Sequence, residues 1–267
     1  MKRHFSEISG VVSIVALFTF CVYLDLYASE EKLPTPEEII EKYIEASGGK
    51  EAHGKINNRK IEISGKVVPM GIEAKVFIYQ ERPDKYYILT DLGTMGHERS
   101  GSDGKIAWVI SPFSGTRIFE GEELANRLLD WAFNGPDGYD TSYKMMKTEG
   151  IEEINGKICY KVVKIPAEGS TRITYYDKES YLIVKTIADA KSPQGTFKVE
   201  SYFEGSQKVN DIIFPHKINI FIMGQAYNEL IYDKIELNTE MPEGIFDMPE
   251  EIKAIMKKKE LDSQTGK

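Results

Sequence analysis

Cysteine is nearly absent from this chain: two occur in 267 residues, Cys21 and Cys159. Cys21 lies in an N-terminal apolar stretch, so the chain beyond it holds one thiol and cannot contain an internal disulfide. Histidine is also sparse. His53, His97 and His216 are far apart and in no metal-ligand spacing such as HExxH, so each reads as an ordinary surface or strand histidine. Positive charge is in the minority, with 34 Lys and Arg against 42 Asp and Glu and a net charge of −8. That balance lacks the footprint of a nucleic-acid binder, and it gives no charge attraction to anionic lipid.

The patterns of catalysis are missing too. Ser114-Gly115 does not sit in a G-x-S-x-G elbow, and Gly93-Thr94-Met95-Gly96 is not followed by a helix that would make it a phosphate loop. Cys159 alternates with Ile158 and Tyr160, as a buried structural thiol in a strand would. The sequence therefore predicts no enzyme, no metal and no cofactor.

What is present begins with an export signal. Lys2 and Arg3 form a basic start, 11–24 is an uninterrupted apolar run, and Leu26-Tyr27-Ala28 offers a cleavage site. The run is shorter than the ~20 residues that span a bilayer, so residues 1–28 are expected to be removed, an uncleaved anchor being the alternative. Bulky Phe18 and Phe20 before Cys21 argue against a lipid-modified N-terminus.

The chain from 29 onward opens on a helix. Thr35 as N-cap, Pro36 at the first helical position and Glu38 three residues after the cap make a capping box. Ile40, Tyr43, Ile44 and Ser47 share one side, Gly48-Gly49 stops the helix, and Lys50-Glu51-Ala52-His53 can add a turn. From 61 to 248 the chain is a series of short β-type segments. They fall at 60–68, 71–80, 85–92, 106–110, 158–165, 171–176, 181–188, 196–203, 212–223 and 229–237, a meander of ten or eleven strands. Asp103-Gly104 and Asn155-Gly156 read as two-residue type I′ turns. A second helix is expected over 120–133, with Leu124, Leu128, Trp131 and Ala132 on one side and Asn134-Gly135-Pro136 ending it. A third, peripheral helix is expected over 250–261, and its Lys257-Lys258-Lys259 run reads as a solvated face.

Several strands are apolar on both faces. Ile72, Ala74, Val76 and Ile78 lie opposite Phe77 and Tyr79, and Tyr86 and Ile88 opposite Tyr87 and Leu89, and each side of such a sheet must be covered by helices, another sheet or a ligand. Trp108 shares a face with Ile106 and Ile110, and that face is expected to point inward. The architecture this predicts is mainly β with a few helices (α+β), a curved antiparallel sheet forming an incomplete β-barrel covered by helices. The domain would occupy 29–249, and a helix or tail 250–267.

One set of motifs resembles a family. It comprises the exported N-terminus, Ala46-Ser47-Gly48-Gly49-Lys50-Glu51-Ala52, Ser102-Asp103-Gly104-Lys105-Ile106-Ala107-Trp108, Thr174-Tyr175-Tyr176-Asp177, Ile213-Phe214-Pro215, and a closing Asn238, Phe246 and Pro249. In this order the chain is similar to the LolA/LolB-type carriers and the outer-membrane lipoprotein-sorting proteins over most of its length beyond the signal. The resemblance implies a periplasmic half-barrel whose apolar hollow accepts acyl chains of a lipoprotein or lipid. Ile78, Tyr86, Ile88, Ile106, Trp108, Ile110, Leu124, Leu128, Trp131 and Tyr175 are then the candidate lining. An envelope membrane protein is a further possible partner, and nucleic acid is not. A second reading stays open: a non-enzymatic scaffold or sensor that pairs with a protein partner through a sheet edge.

Overall fold

The computed structural model describes residues 32–133, 143–192 and 195–265. The chain separates into Met1–Leu33 and Pro34–Lys267, and every element below belongs to the second unit. The expected export signal and Asn134-Gly135-Pro136 lie outside the described residues.

Helix α1 (Pro36–Ala46) starts on the expected capping box: the Glu38 amide donates to Thr35 Oγ1 at 3.2 Å, and the Thr35 amide donates to Glu38 Oε2 at 2.8 Å. A single turn, α2 (Lys50–Gly54), follows. Six strands then run β1 (Asn58–Val67), β2 (Ile72–Glu81), β3 (Lys85–Asp91), β4 (His97–Ser102), β5 (Ala107–Ser111) and β6 (Gly115–Ile118). Helix α3 (Gly121–Trp131) leads to β7 (Tyr143–Ile154), β8 (Lys157–Pro166), β9 (Arg172–Asp177), β10 (Ile183–Ser192) and β11 (Gly195–Glu204). The chain closes with β12 (Gln207–Val209), β13 (Ile212–Phe214), β14 (Lys217–Ile222), β15 (Gln225–Leu237) and α4 (Glu250–Thr265).

Thirteen strands make one antiparallel sheet in the order β6-β5-β4-β3-β2-β1-β15-β14-β11-β10-β9-β8-β7, while β12 and β13 form a separate ribbon. Two meanders run outward from the β1–β15 pair, which brings Arg59 opposite Leu237. The sheet ends at β6 and β7, the two strands that α3 joins in sequence. It is therefore an open sheet, as the sequence predicts, with more strands than the expected ten or eleven. The added strands β4, β6, β7 and β12 are short or rich in charge, so they carry little apolar alternation.

Side chains on α3 reveal the curvature. Trp131 packs on Tyr86 of β3, whereas Asn126 bonds to Ser170 and to the Asp189 carbonyl of β10. In sheet order β3 and β10 stand six positions apart, about 29 Å if flat at ~4.8 Å per strand. Five residues of helix rise only about 8 Å. The sheet therefore bends around α3, and the face carrying Tyr86 is concave. Helix α1 lies on the same face, with Ile39, Ile40 and Ile44 buried against Tyr160, Val162 and Tyr176.

Two local expectations change. Asp103-Gly104 is not a two-residue turn: Ser102 pairs with Ala107, and the loop between them is organised by the Asp103 carboxylate, which accepts from the Lys105 and Ile106 amides at 2.9 and 2.8 Å. Only Gly104 takes positive φ there. The expected strand over 212–223 is split, because Pro215 has no N–H for a ladder and separates β13 from β14. Asn155 and Gly156 do form the expected hairpin turn, with φ of 50° and 79° between the paired Ile154 and Lys157.

The concave face as candidate functional site

Register assigns each side chain to a face. Across the first meander Ile61 lies opposite Ile78, Ile78 opposite Ile88, and Ile88 opposite Ser100, which in turn faces Val109. Across the second, Ile63 pairs with Tyr232, Leu230 with Ile218, Ile218 with Phe203, and Val199 with Ala188. Ala188 pairs with Arg172, whose guanidinium bonds to Asp130 of α3. All of these residues therefore share the concave face.

The sequence candidates divide between the two faces. Ile78, Tyr86 and Ile88 are concave and buried with Ile61, Ile63 and Ile235, and Trp131 packs against them. Leu124 and Leu128 press α3 onto Ala107, Val109 and Phe119. Ile78, Tyr86, Ile88 and Trp131 thus belong to one packed cluster and Leu124 and Leu128 to a second, both on the concave side. Trp108 and Ile110 lie on the opposite, convex face. Trp108 sits across from Gly101 and beside Tyr87, with ring centroids 6.2 Å apart. Gly101 has to be glycine, because a Cβ there would stand 2.6 Å from the Trp108 ring.

The inward orientation expected for Trp108 is thus corrected: odd and even positions of β5 are both apolar, and alternation alone could not choose between them. What covers the convex face there is the C-terminal segment. Glu251 of α4 pairs with Arg99, Lys259 with Glu120, and Ile252 is fully buried, so this helix packs on the sheet rather than standing apart. Tyr175 is convex as well, its hydroxyl donating to Glu152 Oε2 at 3.1 Å. Ile106 belongs to the turn before β5.

Sequence reasoning missed the middle of the concave face. Phe197, Val199 and Phe203 of β11, Ile220 and Ile222 of β14, and Leu230 of β15 form an apolar stripe whose side chains are only half-buried. The signal in the sequence is weak: Phe197, Val199 and Phe203 alternate with Lys198, Glu200 and Tyr202, and Ile218, Ile220 and Ile222 with Asn219 and Phe221, so an aromatic on the other face interrupts each period. At one end of the stripe, Tyr232 and Arg59 face the same hollow. Arg59 donates from Nε to Gln80 Oε1 at 2.7 Å, and burial pulls its pKa down to about 10.

The histidines are scattered. His97 lies beside Asp91, His216 follows the Pro215 break, and His53 pairs with Ser47, its Nε2 3.0 Å from Oγ. That serine is buried at the end of α1, where it also donates to the Ile44 carbonyl at 3.2 Å. The pair ties α2 to α1. No carboxylate bonds to His53 among the described residues, and no cluster of His, Cys, Asp and Glu among them has the makings of a metal site. A cleft of about 550 Å³ between the end of α1, α2 and the β12–β13 turn is lined by Glu45, Glu51, Lys55, Lys208 and Asp211, and is polar. Among the described residues no helix is long and apolar enough to cross a membrane.

Comparison with known proteins agrees with this geometry. No protein-family model matches the sequence, and no curated protein does. Solved structures do. A LolA superfamily protein from Nitrosomonas europaea superposes with a TM-score of 0.53 at 14% identity, over 81% of this chain and 99% of that one. A domain from Vibrio parahaemolyticus named for outer membrane lipoprotein sorting gives 0.51 at 14% identity, over 79% and 95%. A DUF1329 family protein from Desulfovibrio piger gives 0.52 at 13%, over 79% and 96%. The chain has the LolA-type fold: an open, curved antiparallel sheet with helices on its concave side.

Proposed function

We propose that the protein is an exported carrier that shelters the acyl chains of a lipid or lipoprotein against the concave stripe, and that it performs no chemical step. The observation that carries this reading is the half-buried run of Val199, Phe203, Ile220, Ile222 and Leu230 on the inside of the curved sheet. Apolar side chains on a solvated hollow are costly, and each acyl CH₂ laid against them contributes about 0.8 kcal/mol. Ile78, Tyr86, Ile88 and the α3 residues Leu124, Leu128 and Trp131 then act as the rigid wall behind the stripe.

The signal-like segment at 1–28 supports a periplasmic location, with an uncleaved, membrane-anchored form as the alternative. The Vibrio domain is named for outer membrane lipoprotein sorting, and the fold shared with it supports that role here. Strand addition by a protein partner has less support, because the edge strand β7 carries Lys144, Lys147, Glu149, Glu152 and Glu153, charges that blunt such pairing.

The test is uptake of a fluorescent acyl probe. The wild type is expected to bind it with little dependence on salt, since apolar contact is not screened over the ~10 Å Debye length of 0.1 M salt. Ile220→Asp should abolish uptake while the protein stays folded, because the half-open hollow hydrates the carboxylate when no ligand is present. Trp108→Asp, on the convex face, should instead lower stability. No uptake by the wild type, or full uptake by Ile220→Asp, would refute the carrier reading.

A further inference from the structure

We propose that the acyl ligand carries an anionic head group, a carboxylate or a phosphate, and that Arg59 receives it at the end of the concave stripe. This rests on the carrier reading and adds the chemical class of the cargo.

Arg59 is half-buried on the concave face, two residues before Ile61 on β1. Its side chain makes one hydrogen bond, from Nε to the neutral Gln80, and its guanidinium carbon lies 5.0 Å from the Phe133 ring centroid. Among the described residues no carboxylate reaches it. Two other arginines differ. Arg172 bonds to Asp130, and Arg117 makes a two-pronged pair with Glu123 at 2.7 Å on each arm.

Arg82 lies 4.6 Å from the same Phe133 ring and donates to the carbonyls of Ile56 and His53, both neutral acceptors. Tyr232, close enough to Arg59 for the two to interact electrostatically, has a hydroxyl with no hydrogen-bond partner among the described residues. Two guanidinium nitrogens and a phenol are thus donors in want of an acceptor, and a planar guanidinium matches carboxylate or phosphate oxygens in pairs. From Tyr232 the concave face continues through Leu230 to Ile218 and Phe203, so a head held at Arg59 leaves its chain on the apolar stripe.

The experiment displaces a neutral pyrene-labelled long-chain alcohol from the purified protein with palmitate, hexadecyl phosphate and hexadecanol. The wild type is expected to bind one or both anions more tightly than hexadecanol by about 10-fold or more, the scale of a charged hydrogen bond, and the stronger of the two identifies the head group as carboxylate or phosphate. Arg59→Gln should abolish that preference while hexadecanol binds as before, Arg59→Lys should restore part of it, and Tyr232→Phe should reduce it. Equal binding of anions and alcohol by the wild type, or a preference that survives Arg59→Gln, overturns the proposal and leaves the carrier reading standing. If none of the four ligands binds, both fall.

Discussion

The Trp131 indole lies over the Tyr86 ring, with centroids 5.6 Å apart and planes tilted by 33°. One residue earlier, Asp130 holds Arg172 on the far meander. Helix α3 therefore ties the two arms of the sheet across its concave side, and the accessible stripe lies on the strands between them. Replacing Asp130 by Asn would leave the buried Arg172 with a backbone acceptor, the Asn126 carbonyl at 3.3 Å, but no charge partner. Because Asp130 is itself well exposed, the expected loss is about 1–3 kcal/mol, less than for a fully buried pair. Chemical denaturation checks it, and an unchanged midpoint would mean that α3 is held by its apolar contacts alone.

At the tip of β7–β8, Asn155 and Gly156 both take positive φ. A β-branched residue is strained in that region, so Gly156→Val should cost about 1–3 kcal/mol in an unfolding titration. Gly156→Asn, which tolerates the conformation, should cost much less. Equal losses from the two would rule out strain as the cause.

His53 gives the fold a dependence on pH. Burial, and then the charge of Arg59, lower its pKa below the ordinary value of about 6.5. The folded state thus binds this proton more weakly than the unfolded chain does. Its contribution is complete above about pH 6.5 and is lost as pH falls through the lower folded value. Urea midpoints measured from pH 7.5 to 5.5 should fall less in His53→Gln than in the wild type, and parallel curves would remove His53 from the account.

Cys159 is fully buried, and burial, with Asp177 nearby, raises its thiol to about 11. The thiolate is the reactive species, so a disulfide reagent at pH 8 should leave the native protein unlabelled and modify it fully in denaturant. Rapid labelling of the folded protein would show that the convex cluster around Tyr175 and Val184 opens easily.

Some of this was legible from local chemistry. The Thr35–Glu38 box and the Asn155-Gly156 turn depend on residues a few positions apart, and both stand in the structure as the sequence predicts. Strand β7, Tyr-Lys-Met-Met-Lys-Thr-Glu-Gly-Ile-Glu-Glu-Ile, was hidden because an edge strand exposed to water carries charge in place of an apolar period. The candidate site was legible in part. Ile78, Tyr86, Ile88, Leu124, Leu128 and Trp131 do gather on one side, but Trp108 and Tyr175 face away, since strands apolar on both faces contain no sign of which is concave. The stripe of Val199, Phe203 and Ile220 emerges only when long-range register connects β11 and β14 to β15.

The central claim is that this concave stripe holds acyl chains, and the most direct measurement is native mass spectrometry with lipid extraction on the protein purified from its own host. The wild type is expected to carry acyl-containing species that dissociate on activation, and Ile220→Asp, isolated in the same way and folded, to be free of them. A wild-type protein that emerges without lipid, or an Ile220→Asp protein that carries as much as the wild type, would contradict it.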